Sequence, residues 1–96
     1  MPDKEHKEHK VRLIFIINGQ DFAIEANANA PLIEAVQRAL AVSGNTGRPA
    51  DEWEVRDIKG VLLAKNRTPK ELHLDNGTRL FLSLQVGAGG VGQIRP

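Results

Sequence analysis

The chain contains no cysteine. That excludes disulfides, a zinc ribbon, a thiol nucleophile and an enzyme-bound thioester on this chain. Net charge is nearly absent too, at +1 over 96 residues, so the charge balance does not point to a nucleic-acid groove or a polyanionic partner. No apolar run approaches the roughly 20 residues that a membrane-spanning helix requires. The opening MPDKEHKEHK lacks the apolar segment of a secretory signal, and the cytoplasm is the expected compartment. No Ser–His–Asp order or carboxylate pair stands out from an ordinarily charged surface, so no catalytic role is expected.

What remains is enough for one small domain between two tails. Residues 1–10 repeat Lys, Glu and His with nothing apolar to bury, and read as a solvated, disordered tail. His6 and His9 lie three apart, but two histidines without a third ligand rarely hold a metal, and no metal site is expected. The domain is expected over 11–86. Its firmest stretch is TRLFLSLQV at 78–86, where Leu80, Leu82, Leu84 and Val86 alternate with Arg79, Phe81, Ser83 and Gln85. That period of two marks a half-buried strand. It runs straight into GAGG at 87–90, and residues 87–96 read as a flexible glycine-rich tail.

Upstream, VRLIFIIN (11–18) is rich in β-branched residues and ends in Asn18-Gly19, the dipeptide of a tight hairpin turn. DFAIEA (21–26) supplies the second strand. In the first strand Leu13, Phe15 and Ile17 face inward. Ile14 and Ile16 fall on the wet face with Arg12, leaving apolar surface there to be covered or used by a partner. Pro31 suits a first helical position. Leu32, Ile33, Val36, Ala39 and Leu40 then recur at helical spacing as far as Gly44, a left-handed cap, which predicts one amphipathic helix over roughly 31–43. WEVRDI (53–58) alternates again, Lys59-Gly60 turns the chain, and Val61 to Leu63 gives a very short strand. A helical turn is expected at Pro69 to Leu72, and Asn76-Gly77 turns into the last strand. The order predicts an α+β domain: a mixed sheet of four to five strands, one helix packed across it, and the last strand parallel to the first. That arrangement is the β-grasp.

With this order in place, the stretch IKGVLLAKNRTPKELHLDNGTRLFLSLQVGAGG (58–90) resembles the ubiquitin-like β-grasp modifiers. Within it, Arg67-Thr68 occupies the matching turn and Leu74 a core aliphatic position. Leu80, Leu82 and Leu84 fall on the last strand, and Gly89-Gly90 takes the place of the diglycine. The resemblance extends over nearly all of 11–90 and is greatest to bacterial ubiquitin-like proteins encoded beside activating, conjugating and JAB-type peptidase proteins. Two departures stand out. Asp57 and Ser83 align with apolar positions of the family's recognition surface, on which Arg79 and Phe81 remain. Six residues, 91–96, also follow Gly90, so the chain looks like a precursor cut after Gly90 by a JAB-type or other processing peptidase.

The resemblance implies that the chain is a modifier and that other proteins do the chemistry. An activating enzyme, using ATP and magnesium, adenylates the terminal carboxylate and takes the acyl group onto its own thiol. A conjugating enzyme and a lysine on a target protein would follow, the last giving an isopeptide bond. No cofactor is expected on the chain itself. Glycine suits the threaded end, because it reaches backbone angles closed to other residues and leaves the acyl carbon unobstructed. Gly90 is then the reacting residue, Gly89 its steric companion, and Gly87 and Ala88 spacers. The recognition surface would be Arg79, Phe81, Ser83 and Asp57. Lys59, Lys65 and Lys70, with Lys4, Lys7 and Lys10, are either acceptors for another copy or solubilising charges. Three alternatives stay open: a sulfur carrier ending in a thiocarboxylate, a non-covalent β-grasp scaffold using Ile14, Ile16 or Phe81 to bind a partner or itself, and a glycine-rich end without function. Gly87, Gly89 and Gly92 match a dinucleotide fingerprint only in spelling, since no helix can follow.

Overall fold

The computed structural model describes residues 9–85. The tail positions 1–8 and 86–96, with His6, Gly87, Ala88, Gly89 and Gly90, lie outside them. The expected hairpin forms from β1 (Lys10–Ile17) and β2 (Gln20–Asn27), paired antiparallel. Its turn is closed by Asn18 at φ 52° and Gly19 at φ 82°, the left-handed pair that matches the twist of the flanking strands. Helix α1 (Leu32–Val42) follows, then a 3₁₀ turn (Ala50–Glu52), β3 (Trp53–Arg56), β4 (Leu62–Leu63) and β5 (Thr78–Leu84). The sheet order is β2-β1-β5-β3-β4. β5 lies parallel to β1 and antiparallel to β3. This is the mixed-sheet β-grasp.

The core forms where strand and helix periodicities meet. Leu13, Phe15, Ile17, Leu80, Leu82 and Val55 project from the sheet into Leu32, Val36, Ala39 and Leu40 of the helix. Phe15, Leu13, Leu32, Val36, Leu80 and Val55 are fully enclosed. Trp53, the first residue of β3, is buried as well. Its indole N–H has no hydrogen-bond partner among the described residues.

Several boundaries differ from expectation for backbone reasons that side-chain patterns do not carry; among them, β5 stops at Leu84, which is 44% exposed, because the next N–H, of Gln85, turns to the Glu52 carbonyl of the 3₁₀ turn. The sheet starts at Lys10, paired with Asn27, and the His9 carbonyl accepts from the Ala28 N–H at 2.7 Å; the ladder needs only backbone, so a charged edge residue can open it. Pro31 is not helical: at ψ 141° it is the extended residue before the helix and offers no side-chain cap. The exposed helix donors are satisfied from elsewhere, Leu32 N–H by the Arg67 carbonyl (2.8 Å) and Ile33 N–H by the Lys65 carbonyl (3.0 Å). β3 stops at Arg56 rather than Ile58, because Asp57 Oδ1 accepts the N–H groups of both Lys59 and Val61 at 2.9 Å and folds the chain into a turn. Ile58 is left 70% exposed. Val61 likewise falls outside β4, which is only two residues long.

The helix ends as the sequence predicts. Gly44 has φ 79°, its N–H reaches the Ala41 carbonyl, and Asn45 N–H reaches Leu40, the two bonds of a Schellman cap. Gly44→Ala is expected to cost about 1–2 kcal/mol, because it forces a Cβ into the left-handed region. Gly47, in open space and without positive φ, is the control: Gly47→Ala should leave stability unchanged or raise it by up to about 1 kcal/mol. Urea unfolding of the two variants checks the contrast. The expected turn at Pro69–Leu72 is present and opens with a reciprocal capping box. Glu71 N–H donates to Thr68 Oγ1 and Thr68 N–H donates to Glu71 Oε1. His73, exposed and at φ 58°, terminates it.

Candidate functional site

Two regions of the described residues can serve recognition, and the first is the sheet face turned away from the helix. Strand parity places Ile14 and Ile16 of β1 there, beside Arg79 and Phe81 of β5 in register. Ala23 and Asp21 flank them from β2; Arg56 and Glu54 flank Phe81 and Ser83 from β3. Ile14 and Ile16 are half-buried, while Phe81 is 43% exposed. Charges border this apolar row. Arg79 reaches across β1 to Asp21 (2.8 Å), and Arg56 pairs with Glu54 (3.1 Å) and donates to the Gly60 carbonyl (3.0 Å). These half-exposed pairs add little stability; the Arg79–Asp21 pair spans β1 at the half-buried Ile14 and Ile16, and Phe81 stays exposed beside them.

Of the residues read as a recognition surface, Arg79, Phe81 and Ser83 lie together on this face. Asp57 does not join their row: its carboxylate is turned into the β3–β4 loop, and the neighbour of Phe81 is Arg56. Leu62, across from Arg56 on β4 and 54% exposed, extends the apolar surface. Sequence pattern alone missed Leu62, because a two-residue strand has no period from which to read a face.

The second region is the root of the C-terminal segment, where β5 runs out at Leu84. Gln85 N–H donates to the Glu52 carbonyl (2.8 Å), and its side-chain amide reaches the Asp51 carbonyl (3.4 Å). Lys65 Nζ donates to three carbonyls of the same turn, Ala50 (2.9 Å), Asp51 (2.8 Å) and Trp53 (2.5 Å). Desolvation pulls the Lys65 ammonium below its ordinary pKa, against the attraction of Asp51 and Glu54. Ile33, Asp51, Lys65, Asn66 and Gln85 line a cleft of about 340 Å³ beside it. All three ammonium protons are engaged, so Lys65 is not available as an acceptor amine in this conformation, whereas Lys59 and Lys70 are exposed. No feature of the sequence distinguishes Lys65 from the other lysines, since its partners are carbonyls 12 to 15 positions away.

Among the described residues, no three His, Cys, Asp or Glu side chains gather as a metal site, and no helix is long and apolar enough to cross a membrane. The arrangement can dock a protein surface and direct a chain end.

Comparison with known proteins agrees with the architecture. The family described as Protein of Unknown function (DUF2604) matches residues 6–90. An uncharacterized protein of Sinorhizobium fredii, y4jI, is 37% identical over 81 residues, covering 84% of this chain. The chain spans 62% of that relative's length. Among solved structures, a designed protein based on ubiquitin superposes with TM-score 0.69 at 16% identity, over 88% of this chain and 98% of its own. The ubiquitin of Caldiarchaeum subterraneum gives 0.65 at 19% identity, over 84% and 99%. The ubiquitin-like domain of EccD5 from Mycobacterium xenopi gives 0.63 at 19% identity, over 79% and 94%. At these identities the likeness establishes the ubiquitin-like fold.

Proposed function

We propose, for a chain that belongs to the DUF2604 family and carries the ubiquitin-like β-grasp fold, that it is a protein modifier whose C-terminal glycine is joined to other proteins. The observation that carries this is the path of the chain: β5, held between β1 and β3, ends at Leu84, the next residue, Gln85, is tethered to the 3₁₀ turn, and the sequence continues through Val86 to glycines 87, 89 and 90. A peptidase of the JAB type or another class cuts after Gly90 and frees its carboxylate. An activating enzyme condenses that carboxylate with magnesium-bound ATP, releasing pyrophosphate and forming an acyl-adenylate. Its thiol displaces AMP, a conjugating enzyme receives the thioester, and a target lysine amine expels the thiol to leave an isopeptide bond. The chain supplies the acyl group and the docking face; the catalysis belongs to its partners.

Intact-mass spectrometry of the protein expressed together with the genes beside its own tests the first step. A loss equal to residues 91–96 is expected. A chain that stays full length and is never found attached to another protein contradicts it.

A second reading is favoured by the exposed Phe81 and Leu62 beside the half-buried Ile16: a scaffold that binds partners without covalent attachment. Under either reading Phe81→Lys is expected to weaken binding of whichever partner uses this face at least about tenfold, as for a central interface aromatic, with stability changed by less than about 1 kcal/mol because the ring is already half-exposed. Isothermal titration beside urea unfolding checks both. Removal of residues 87–96 separates the two readings, since a scaffold keeps its function and a modifier loses it.

A further inference from the structure

We propose that Lys65 is a positioning residue: its ammonium, by gathering the carbonyls of the 50–53 turn, holds the platform on which Gln85 is tethered and so sets the direction in which the chain leaves the domain. The sheet does not do this alone. β5 stops at Leu84, paired with Trp53, and the next contacts, those of Gln85, go to Glu52 and Asp51 in the 3₁₀ turn rather than to a neighbouring strand.

That turn is held locally by two backbone bonds, Glu52 N–H to the Pro49 carbonyl and Trp53 N–H to the Ala50 carbonyl, and by the Arg48–Glu52 pair at the surface. A three-residue 3₁₀ segment has little intrinsic stability. Lys65 fastens it from the opposite side through three charge-assisted bonds, which are stronger than neutral ones. Its own backbone is fixed as well, because the Lys65 carbonyl accepts the Ile33 N–H at the start of α1. The ammonium therefore links the helix start, the turn and the exit strand into one unit. The Asp51 carbonyl is shared directly by Lys65 and the Gln85 side chain. Truncating Lys65 would remove a charge-assisted donor from each of the three carbonyls and loosen the turn, while Leu13, Phe15, Leu80 and Val36, enclosed in the core, keep their packing.

The tethering of Gln85 stands on the geometry; its consequence for attachment rests on the modifier reading above. Amide hydrogen exchange on the full chain, under conditions where local opening is resolved from global unfolding, separates them. In Lys65→Met the Gln85 amide is expected to exchange about tenfold faster or more, while the Phe15 and Leu80 amides keep their protection. Lys65→Arg, which retains donors, is expected to restore most of the Gln85 protection. Unchanged exchange at Gln85 in Lys65→Met overturns the proposal, and so does equal acceleration of all three amides, which is general destabilisation. In the second arm, cleavage after Gly90 by the processing peptidase is expected to show a raised KM with kcat retained. Faster Gln85 exchange with an unchanged KM upholds the tether and removes its link to processing. A wild-type chain that no neighbouring protein ever processes counts against the modifier reading and leaves the exchange result to decide the role of Lys65.

Discussion

Deleting Gly89 and Gly90 is expected to abolish attachment of the protein to any target while leaving its unfolding midpoint unchanged. On the modifier reading, attachment needs an acyl carbon that enters an enzyme channel in extended form, and a side chain there would obstruct both the passage and the nucleophile. Stability is unaffected because the described contacts are complete without these residues. The last ladder pair is Leu84 with Trp53, and the last tether is Gln85 with the turn. Surface and terminal changes away from packed residues usually stay within about 0.5 kcal/mol. Gly90→Pro should behave like the deletion, whereas Ala88→Gly should retain attachment. The assay is an epitope-tagged chain followed by denaturing electrophoresis: higher-mass species in the wild type, none in the deletion, at equal thermal midpoints. Higher-mass species persisting in the deletion would exclude Gly90 as the point of attachment.

The opposite pattern is expected for Phe15→Ala. Phe15 is fully enclosed, stands beside Leu80 on β5 and Phe22 on β2, and lies at the middle of the core-facing row of β1. Removing its ring is expected to cost about 3–5 kcal/mol, the range for a buried aromatic truncated to alanine. Small domains have only about 5–15 kcal/mol of total stability, so the variant should be partly unfolded at growth temperature and lose every activity at once. Phe81→Lys, at the outward position one residue along β5, should be tolerated. Urea unfolding of Phe15→Ala beside Phe81→Lys measures the difference. Similar losses for both would mean that the two faces of the sheet are not divided as the register implies.

The contrast between Phe15 and Phe81 shows how far the fold could be read from the chain. Where a side-chain period meets a fixed turn residue, the sequence sufficed. Asn18-Gly19 locates the hairpin, Gly44 the helix end, and the leucines of β5 a central strand parallel to β1. Information failed where backbone groups decide. Lys10 carries the ladder despite its charge, and Pro31 stands outside a helix whose first donors are met by carbonyls of Lys65 and Arg67, some thirty residues on. Asp57 is a turn former here; its position in an alignment could not show that its carboxylate is occupied by Lys59 and Val61. The T-x-x-E spacing at Thr68 and Glu71 was available to mark the capped turn. The Lys65 clamp had no such mark, because its acceptors are main-chain oxygens brought near only by the fold. Of the candidate site, the outward row of Arg79, Phe81 and Ser83 was legible from parity alone, and Leu62 was not.

On the modifier reading, conjugation would leave a defined remnant of the chain on its target, and that remnant can be weighed. Trypsin cuts after Arg79, so a target lysine modified through Gly90 retains residues 80–90, LFLSLQVGAGG. Digestion of all proteins captured with the tagged chain under denaturing conditions, followed by mass spectrometry, should therefore yield branched peptides bearing that sequence through an isopeptide bond on lysine. Peptides running unbroken from Leu80 through Gly90 into Val91, with no branched species from cells that contain the neighbouring genes, would contradict it.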